Sequence, residues 1–338
     1  MKLMTWCVAA LVILGMTGAA LAGENLEAIK AKGFIQVGVN EGLAGFAKAD
    51  EKGEWKGLDI DTARAVAAAL FGDAKKLKFT PLTPVARFLA LQSGEVDILC
   101  RNVTLILQRD TSLGLNFAPV NFYDGQGFMV SKKMNVKSAK DLDGATVCVM
   151  TGSTTERNLA DYFRVNKMKL NPVVLQNQAS VQNAFFGGRC DVITSDTSQL
   201  AGMRVAAPNP EDYVILPEVI SKEPLAPCVR QGDEQWFDIA KWAVYALINA
   251  EELGITSQNV EDMLKSEDPD VQRFLGVVPG NGKALGLDEK WAYNIVKQVG
   301  NYGEIFERNV GKNTPLKLQR GLNDLWTKGG LMYSPSFR

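Results

Sequence analysis

Three short segments carry side chains able to hold a charged small molecule. Arg101-Asn102-Val103-Thr104 and then Arg109 follow the apolar run Val96 to Cys100. A guanidinium there can grip a carboxylate through two parallel hydrogen bonds. Gly152-Ser153-Thr154-Thr155-Glu156 follows a second apolar run, Ala145 to Met150. Its Ser-x-x-Glu spacing marks a helix start, whose free N–H groups and positive dipole end favour an anion. Asp196 comes just after a third run, Cys190 to Thr194, and can accept hydrogen bonds from an ammonium group. Taken singly, each has a plainer reading: a surface arginine, a helix cap at Ser153, another cap at Asp196. As a set, they put an arginine, a helix start and an aspartate after strand ends, where open α/β sheets bind ligands. That set fits a zwitterion, its carboxylate on one side and its ammonium on the other.

What is missing narrows the chemistry further. The 338 residues contain no histidine. Ser-His-Asp and Cys-His catalysis and His-ligated zinc or haem are therefore excluded. Lys and Arg number 37 against 38 Asp and Glu, so the chain lacks the basic excess of a nucleic-acid or anionic-membrane binder. No C-x-x-C pair occurs. Gly276 to Lys283 (GVVPGNGK) misses the spacing of a phosphate loop and has Ala284 where Ser or Thr would hold magnesium. No metal and no cofactor are expected. Trp236 and Trp242 lie in a helical stretch and read as core.

Lys2, the apolar stretch Trp6 to Met16 and the Ala20-Leu21-Ala22 site predict an export signal over residues 1–22, cleaved after Ala22. Export makes disulfides feasible. Cys100, Cys148, Cys190 and Cys228 allow three pairings, or four buried thiols. Cys148 with Cys190 is favoured because both segments fall in one lobe, and Cys100 with Cys228 follows.

Strands and helices must alternate to position these segments. Strands are expected at Phe34–Val39, Leu77–Thr80, Val96–Cys100, Asn116–Val120 and Gln126–Val130, with helices from Ile60 to Gly72 and Val85 to Gln92. The pattern restarts at Ala145–Met150, Val173–Gln176, Cys190–Thr194 and Val214–Leu216, with helices opening at Ser153 and Ser180. A long amphipathic helix spans Gln235 to Leu253, and the remainder reads as mostly helical. Such alternation implies two α/β lobes with mainly parallel sheets and a cleft between them. Hinges are expected near Asp124–Gly127 and Ser221–Cys228.

GLDIDTARAVA, GEVDILCRNVTLILQRD, FYDGQGFMV, GSTTE and GGRCDVITSD, in this order, resemble the family 3 extracellular solute-binding proteins of amino-acid ABC transporters. The general L-amino-acid binders are the nearest group, and the resemblance runs from Leu26 to Arg338. It implies a type II periplasmic-binding-protein fold hinged by two crossover strands, with a helical C-terminal extension. Lobe 1 would take residues 23–124 and 222–338, and lobe 2 residues 125–221. It also implies a periplasmic monomer that closes over free L-amino acids and delivers them to an inner-membrane ABC permease. By the same resemblance Arg109, Thr104, Ser153 and Thr154 hold the ligand carboxylate. Asp196 and Asn102 hold its ammonium, while Arg101, Asn40, Leu43, Phe46 and Gly152 line the pocket. Leu43 stands where narrow-specificity relatives place a stacking aromatic, and Phe46 is the nearby ring. Pro84 replaces another relative's aromatic, and Asn40 an acid. These departures fit broad specificity. A periplasmic dehydratase of cyclic dienyl acids is the alternative; it needs a general acid, for which Glu156 is the candidate.

Overall fold

The computed structural model describes residues 23–338, and the expected export signal lies outside them. Two five-stranded sheets form the frame. In chain order the strands are β1 (Ile35–Val39), β2 (Lys48–Ala49), β3 (Trp55–Lys56), β4 (Leu77–Pro81), β5 (Ile98–Leu99), β6 (Leu115–Phe117) and β7 (Phe122–Asp124). They continue as β8 (Gln126–Ser131), β9 (Thr146–Met150), β10 (Asn171–Leu175), β11 (Val192–Asp196), β12 (Tyr213–Ile215), β13 (Glu223–Leu225) and β14 (Cys228–Arg230). The first sheet has the order β4-β1-β5-β14-β6 and the second β10-β9-β11-β8-β12. In each, one strand runs against its neighbours, β14 in the first and β8 in the second. The others run parallel, as the strand–helix alternation implies. The two lobes meet at β7 and β13, which pair antiparallel with Asp124 opposite Glu223. These are the two crossovers.

Local sequence explains the main helices. Helix α1 covers Glu24–Lys32 and α2 Leu58–Phe71. Helix α2 is rich in alanine and buried over most of its surface, so it sits inside the first lobe. It stops at Gly72, whose left-handed φ of 67° lets its N–H reach Ala68 O. It starts at Gly57, where a Cβ would sit 2.0 Å from Phe46 O. That close approach serves the helix: the N–H groups of Leu58 and Asp59 donate to the carbonyls of Gly45 and Phe46. Helices α3 (Arg87–Ser93) and α4 (Leu107–Ser112) follow β4 and β5; α5 (Thr154–Val165), α6 (Gln178–Phe186) and α7 (Thr197–Val205) flank the second sheet.

Helix α8 (Glu234–Glu252) returns to the first lobe and buries Trp236, Ile239, Ala240, Ala243 and Leu247 there. Trp236 Nε1 donates to Asp97 O at 3.1 Å, which fixes the helix against the sheet. Helices α9 (Val260–Met263), α10 (Pro269–Phe274), α11 (Asn281–Leu285), α12 (Trp291–Val299) and α13 (Tyr302–Asn309) complete that lobe. Phe337 closes it, packed on Trp242, Phe274 and Trp291. Trp242 is thus a packing residue, as its helical setting suggests. No described helix is long and apolar enough to cross a membrane.

The cysteines correct one expectation. Cys148 and Cys190 form a disulfide inside the second lobe, but Cys100 and Cys228 are buried free thiols. Cys228 lies opposite Leu99 in the sheet register, and both pack in one core cluster. Cys100, one residue on, points to the other face and joins the larger core. Strand alternation therefore keeps the two sulfurs on opposite sides of the sheet.

Candidate functional site

The first-lobe residues of the site hang on a network behind β5. Asn102 takes a left-handed φ of 40°, a strained value for a residue other than glycine. Its N–H donates to Asp59 Oδ2 at 2.9 Å, and its Oδ1 accepts from Asn40 Nδ2 at 3.1 Å. Arg101 donates through Nε to Leu82 O at 2.8 Å. Arg109, on α4, donates through Nη1 to Thr104 O at 2.9 Å, leaving the rest of its fork available. Burial pushes the Asp59 carboxyl up to about 6 and brings the Arg101 guanidinium down to about 10.

In the second lobe, Gly152 turns the chain at φ 71° and Ser153 caps α5, its Oγ accepting from Glu156 N at 3.2 Å. Glu156 in turn accepts from Gly152 N at 3.0 Å and is engaged in the turn. Asp196 stands at the N-cap position of α7 without capping it. Asp124, at the end of β7, does that instead: it accepts from Thr197 Oγ1 at 2.6 Å and from the hydroxyl and N–H of Ser198. The Asp196 carboxylate accepts from Gln199 Nε2 at 2.7 Å. Burial, then the nearby Asp124 and Glu223 carboxylates, raise its pKa well above the usual carboxylate range. A cation beside it would reverse that shift.

The lobes touch along this seam. Thr104 Oγ1 and Thr154 Oγ1 are 3.4 Å apart, and Arg157 Nη1 donates to Gln108 Oε1 at 2.6 Å. A Cβ on Gly152 would come within 2.9 Å of Val85 Cγ2. Arg101, Asn102, Thr104, Ser153, Thr154 and Asp196 line a narrow space of about 20 Å³, room for about one water. A space of this size has no room for an amino acid unless the lobes part. Arg109 and Gly152 line the adjoining, larger cavity of about 350 Å³, which shares Pro84, Ser153 and Thr154 with the first.

Asn40 supports Asn102 from behind, and Leu43 lies with Ala44 against Gly202 of the opposite lobe. Phe46 is not brought to the seam: it is fully buried in the first-lobe core, edge-on to Phe122 at 5.1 Å. Three residues are added that sequence reading did not single out for the site. Glu223, on β13, accepts from Thr154 Oγ1 and Asn158 Nδ2, both at 2.8 Å, and so ties the crossover to α5. Gln199 and Arg87 line the narrow space between the lobes. Only the chain's folding marks these three, since none lies in a recognisable motif.

Residues 35–261 match the bacterial extracellular solute-binding proteins, family 3. The general L-amino acid-binding periplasmic protein of Rhizobium johnstonii is 56% identical over 328 residues, covering 96% of each chain. The glutamate/glutamine/aspartate/asparagine-binding protein of Rhodobacter capsulatus is 51% identical over 324 residues, again covering 96% of each. Among solved structures, a periplasmic binding protein from Brucella ovis with glutathione bound is 56% identical, with a TM-score of 0.91 over 93% of this chain and 99% of that one. An ancestral arginine-binding protein matches at 27% identity and TM-score 0.57, covering 68% of this chain. The chain belongs to the family 3 bacterial extracellular solute-binding proteins.

Proposed function

We propose that this protein is the periplasmic substrate-binding component of an ABC importer, capturing free L-amino acids of several kinds by lobe closure. The observation that carries this reading is the burial of opposite charges on facing walls. Arg101 and Asp196, 2% and 3% exposed, line one narrow space but belong to different lobes. In the bound state Arg109 takes the ligand carboxylate, with Thr104, Ser153 and Thr154 adding donors. Asp196 takes the ammonium with help from Asn102, and Arg101, Leu43 and Gly152 wall the pocket. Hydrogen bonds to charged groups contribute roughly 1.5–3 kcal/mol each. Four or five, less the ordering cost, reach the ~8 kcal/mol of a micromolar complex. A ligand that bridges both walls makes contacts in the closed form that it lacks in the open one, and that difference alone drives closure.

The same reading makes residues 23–124 and 222–338 one rigid lobe and 125–221 the other, in a monomer that delivers its ligand to an inner-membrane permease. An export signal cleaved after Ala22 places it in the periplasm. It binds and releases without transforming its ligand; Glu156, the candidate acid for a dehydratase, is held by Gly152 N. The high identity to relatives named for amino-acid binding supports this reading. Calorimetric titration with the twenty L-amino acids tests it. The wild type should bind several at micromolar levels, whereas Arg109→Ala and Asp196→Ala should each bind none detectably. Retained binding by either variant contradicts the site assignment.

A further inference from the structure

The two crossovers change allegiance at the same place. On the second-lobe side, Asp124 accepts from Thr197 Oγ1, Gly125 O accepts from Thr197 N, and Glu223 accepts from Thr154 and Asn158. On the first-lobe side, Pro224 O accepts from Leu105 N at 2.8 Å, and Ala226 N donates to Val103 O at 2.9 Å. In the register of β7 with β13, Asp124 faces Glu223 and Tyr123 faces Pro224. One step along both strands therefore separates residues bonded to one lobe from residues bonded to the other.

What holds the first crossover to its lobe comes from the far end of the chain. Tyr302, on α13, donates its hydroxyl to Asn121 O at 2.9 Å. The Phe306 ring stacks on Phe122 at 6.2 Å between centroids. Asn323, 5% exposed, accepts from Tyr123 N at 2.6 Å and donates through Nδ2 to Tyr123 O at 2.9 Å, so it satisfies both backbone groups of that residue. Arg320 joins the three. Its Nε donates to Asn323 O at 2.9 Å, its guanidinium lies 5.2 Å and 5.1 Å from the Tyr302 and Phe306 ring centroids, and its Nη2 pairs with Glu251 of α8 at 2.9 Å. Asn121, Phe122 and Tyr123 are thus each gripped by residues beyond 261, where the match to the family ends.

A crossover held loosely spreads its bend over several residues. Each residue left free adds conformational freedom that closure must then remove. With Tyr123 held by one lobe and Asp124 by the other, β7 is left the link between them to bend. Hinges of this kind absorb a large φ/ψ change in few residues.

We propose that Asn323, with Tyr302 and Phe306, is a positioning residue for lobe closure: it clamps the first crossover to the first lobe and confines the pivot to Tyr123–Asp124 and the facing Glu223–Pro224. This rests on the lobe-closure reading above and deepens it by giving the C-terminal segment a task. The clamp touches no ligand, so it acts on every ligand alike. Without it the open form gains freedom that the ligand-held closed form does not, and closure becomes harder.

Gln298 supplies the control. On α12 it makes the same two-bond amide clamp, accepting from Ala74 N at 2.8 Å and donating to Gly72 O at 2.9 Å, but on the turn after α2 rather than on a crossover. In calorimetry, Asn323→Ala should weaken L-glutamate, L-glutamine and L-leucine by one common factor of about fivefold or more, and Gln298→Ala by less than about twofold. Tyr302→Phe, which removes a single hydroxyl, should act in the same direction and serves if Asn323→Ala does not fold. Single-molecule energy transfer between dyes on Lys133→Cys and Lys265→Cys, exposed positions on separate lobes, gives the second readout. Ligand-free Asn323→Ala should show a broader distance distribution than the wild type or Gln298→Ala, and the widths should agree once L-glutamate saturates. An unchanged affinity and width in Asn323→Ala, a loss confined to one ligand, or an equal loss in Gln298→Ala overturns the clamp while leaving amino-acid binding intact. A wild type that binds none of the three overturns the underlying reading, and the ligand-free widths still test the clamp.

Discussion

The two lobes share one strand plan but anchor their chemistry differently. In the first, the site hangs on a buried polar network, with Asp59 holding the strained Asn102 and Asn40 backing it. Its two cysteines are free thiols, and α8 to α13 thicken its core. The second is smaller, is cross-linked by Cys148–Cys190, and presents Ser153 and Asp196 at two helix starts. Asp124 and Glu223, both on the crossovers, serve the second lobe: one caps α7 and the other holds Thr154. The difference teaches that one frame can put cations on one wall and an anion on the other. Burial by different means keeps each set in place.

The comparison is broken most forcefully at the disulfide. Replacing Cys148 and Cys190 by alanine removes a cross-link between residues 42 apart and should cost about 4 kcal/mol on the chain-entropy account. Denaturant unfolding followed by a second-lobe probe checks this. Thiol titration of the native protein without reductant should label neither Cys100 nor Cys228, and of the unfolded protein two thiols.

Next in size is a contrast in pH dependence. Burial holds the Asp59 carboxyl at about 6, so the folded state keeps a proton that the unfolded chain releases near pH 4. Stability carried by this group therefore falls as pH rises from about 4 to about 6, and is level above that. The total change is on the order of 3 kcal/mol. Asp59→Asn should flatten that fall in a series of melts. Asp191 of the second lobe has the opposite sign: hydrogen bonds from Thr146 lower its pKa. Its contribution is present above the unfolded pKa and is lost as pH falls through the folded value. Asp191→Asn should soften acid unfolding.

Gly152→Ala gives the smallest effect and the sharpest contrast between open and closed states. The added methyl meets Val85 across the seam, so it burdens only the closed form, beyond the φ strain common to both. Affinity should fall about tenfold, equivalent to 1.4 kcal/mol, with a melting point lowered by only a few degrees.

Much of the fold was legible because its signals are local. Apolar runs end at the expected strands, Gly72 stops α2, and Ser153 starts α5. The site segments likewise sit at strand ends. What escaped depends on distant partners. Asp196 stands at a cap position, and only Asp124, remote in sequence, relieves it of capping. Phe46 is close in sequence to Leu43, yet its carbonyl caps α2 and its ring packs on Phe122, which holds it in the core. Arg87 sits in an ordinary helix, and its burial follows from the seam formed by two lobes. The Cys100–Cys228 expectation failed on strand parity, because the register between β5 and β14 is invisible from one sequence.

The central claim is that opposite charges on facing lobes close around both ends of a zwitterion. Calorimetric titration of the wild type with L-glutamate, glutarate and L-isoglutamine tests it most directly, since glutarate lacks the ammonium and isoglutamine the α-carboxylate. The account predicts binding of L-glutamate and at least a hundredfold weaker binding of each of the others, about 2.7 kcal/mol or more. Binding of glutarate or isoglutamine within tenfold of L-glutamate would contradict it.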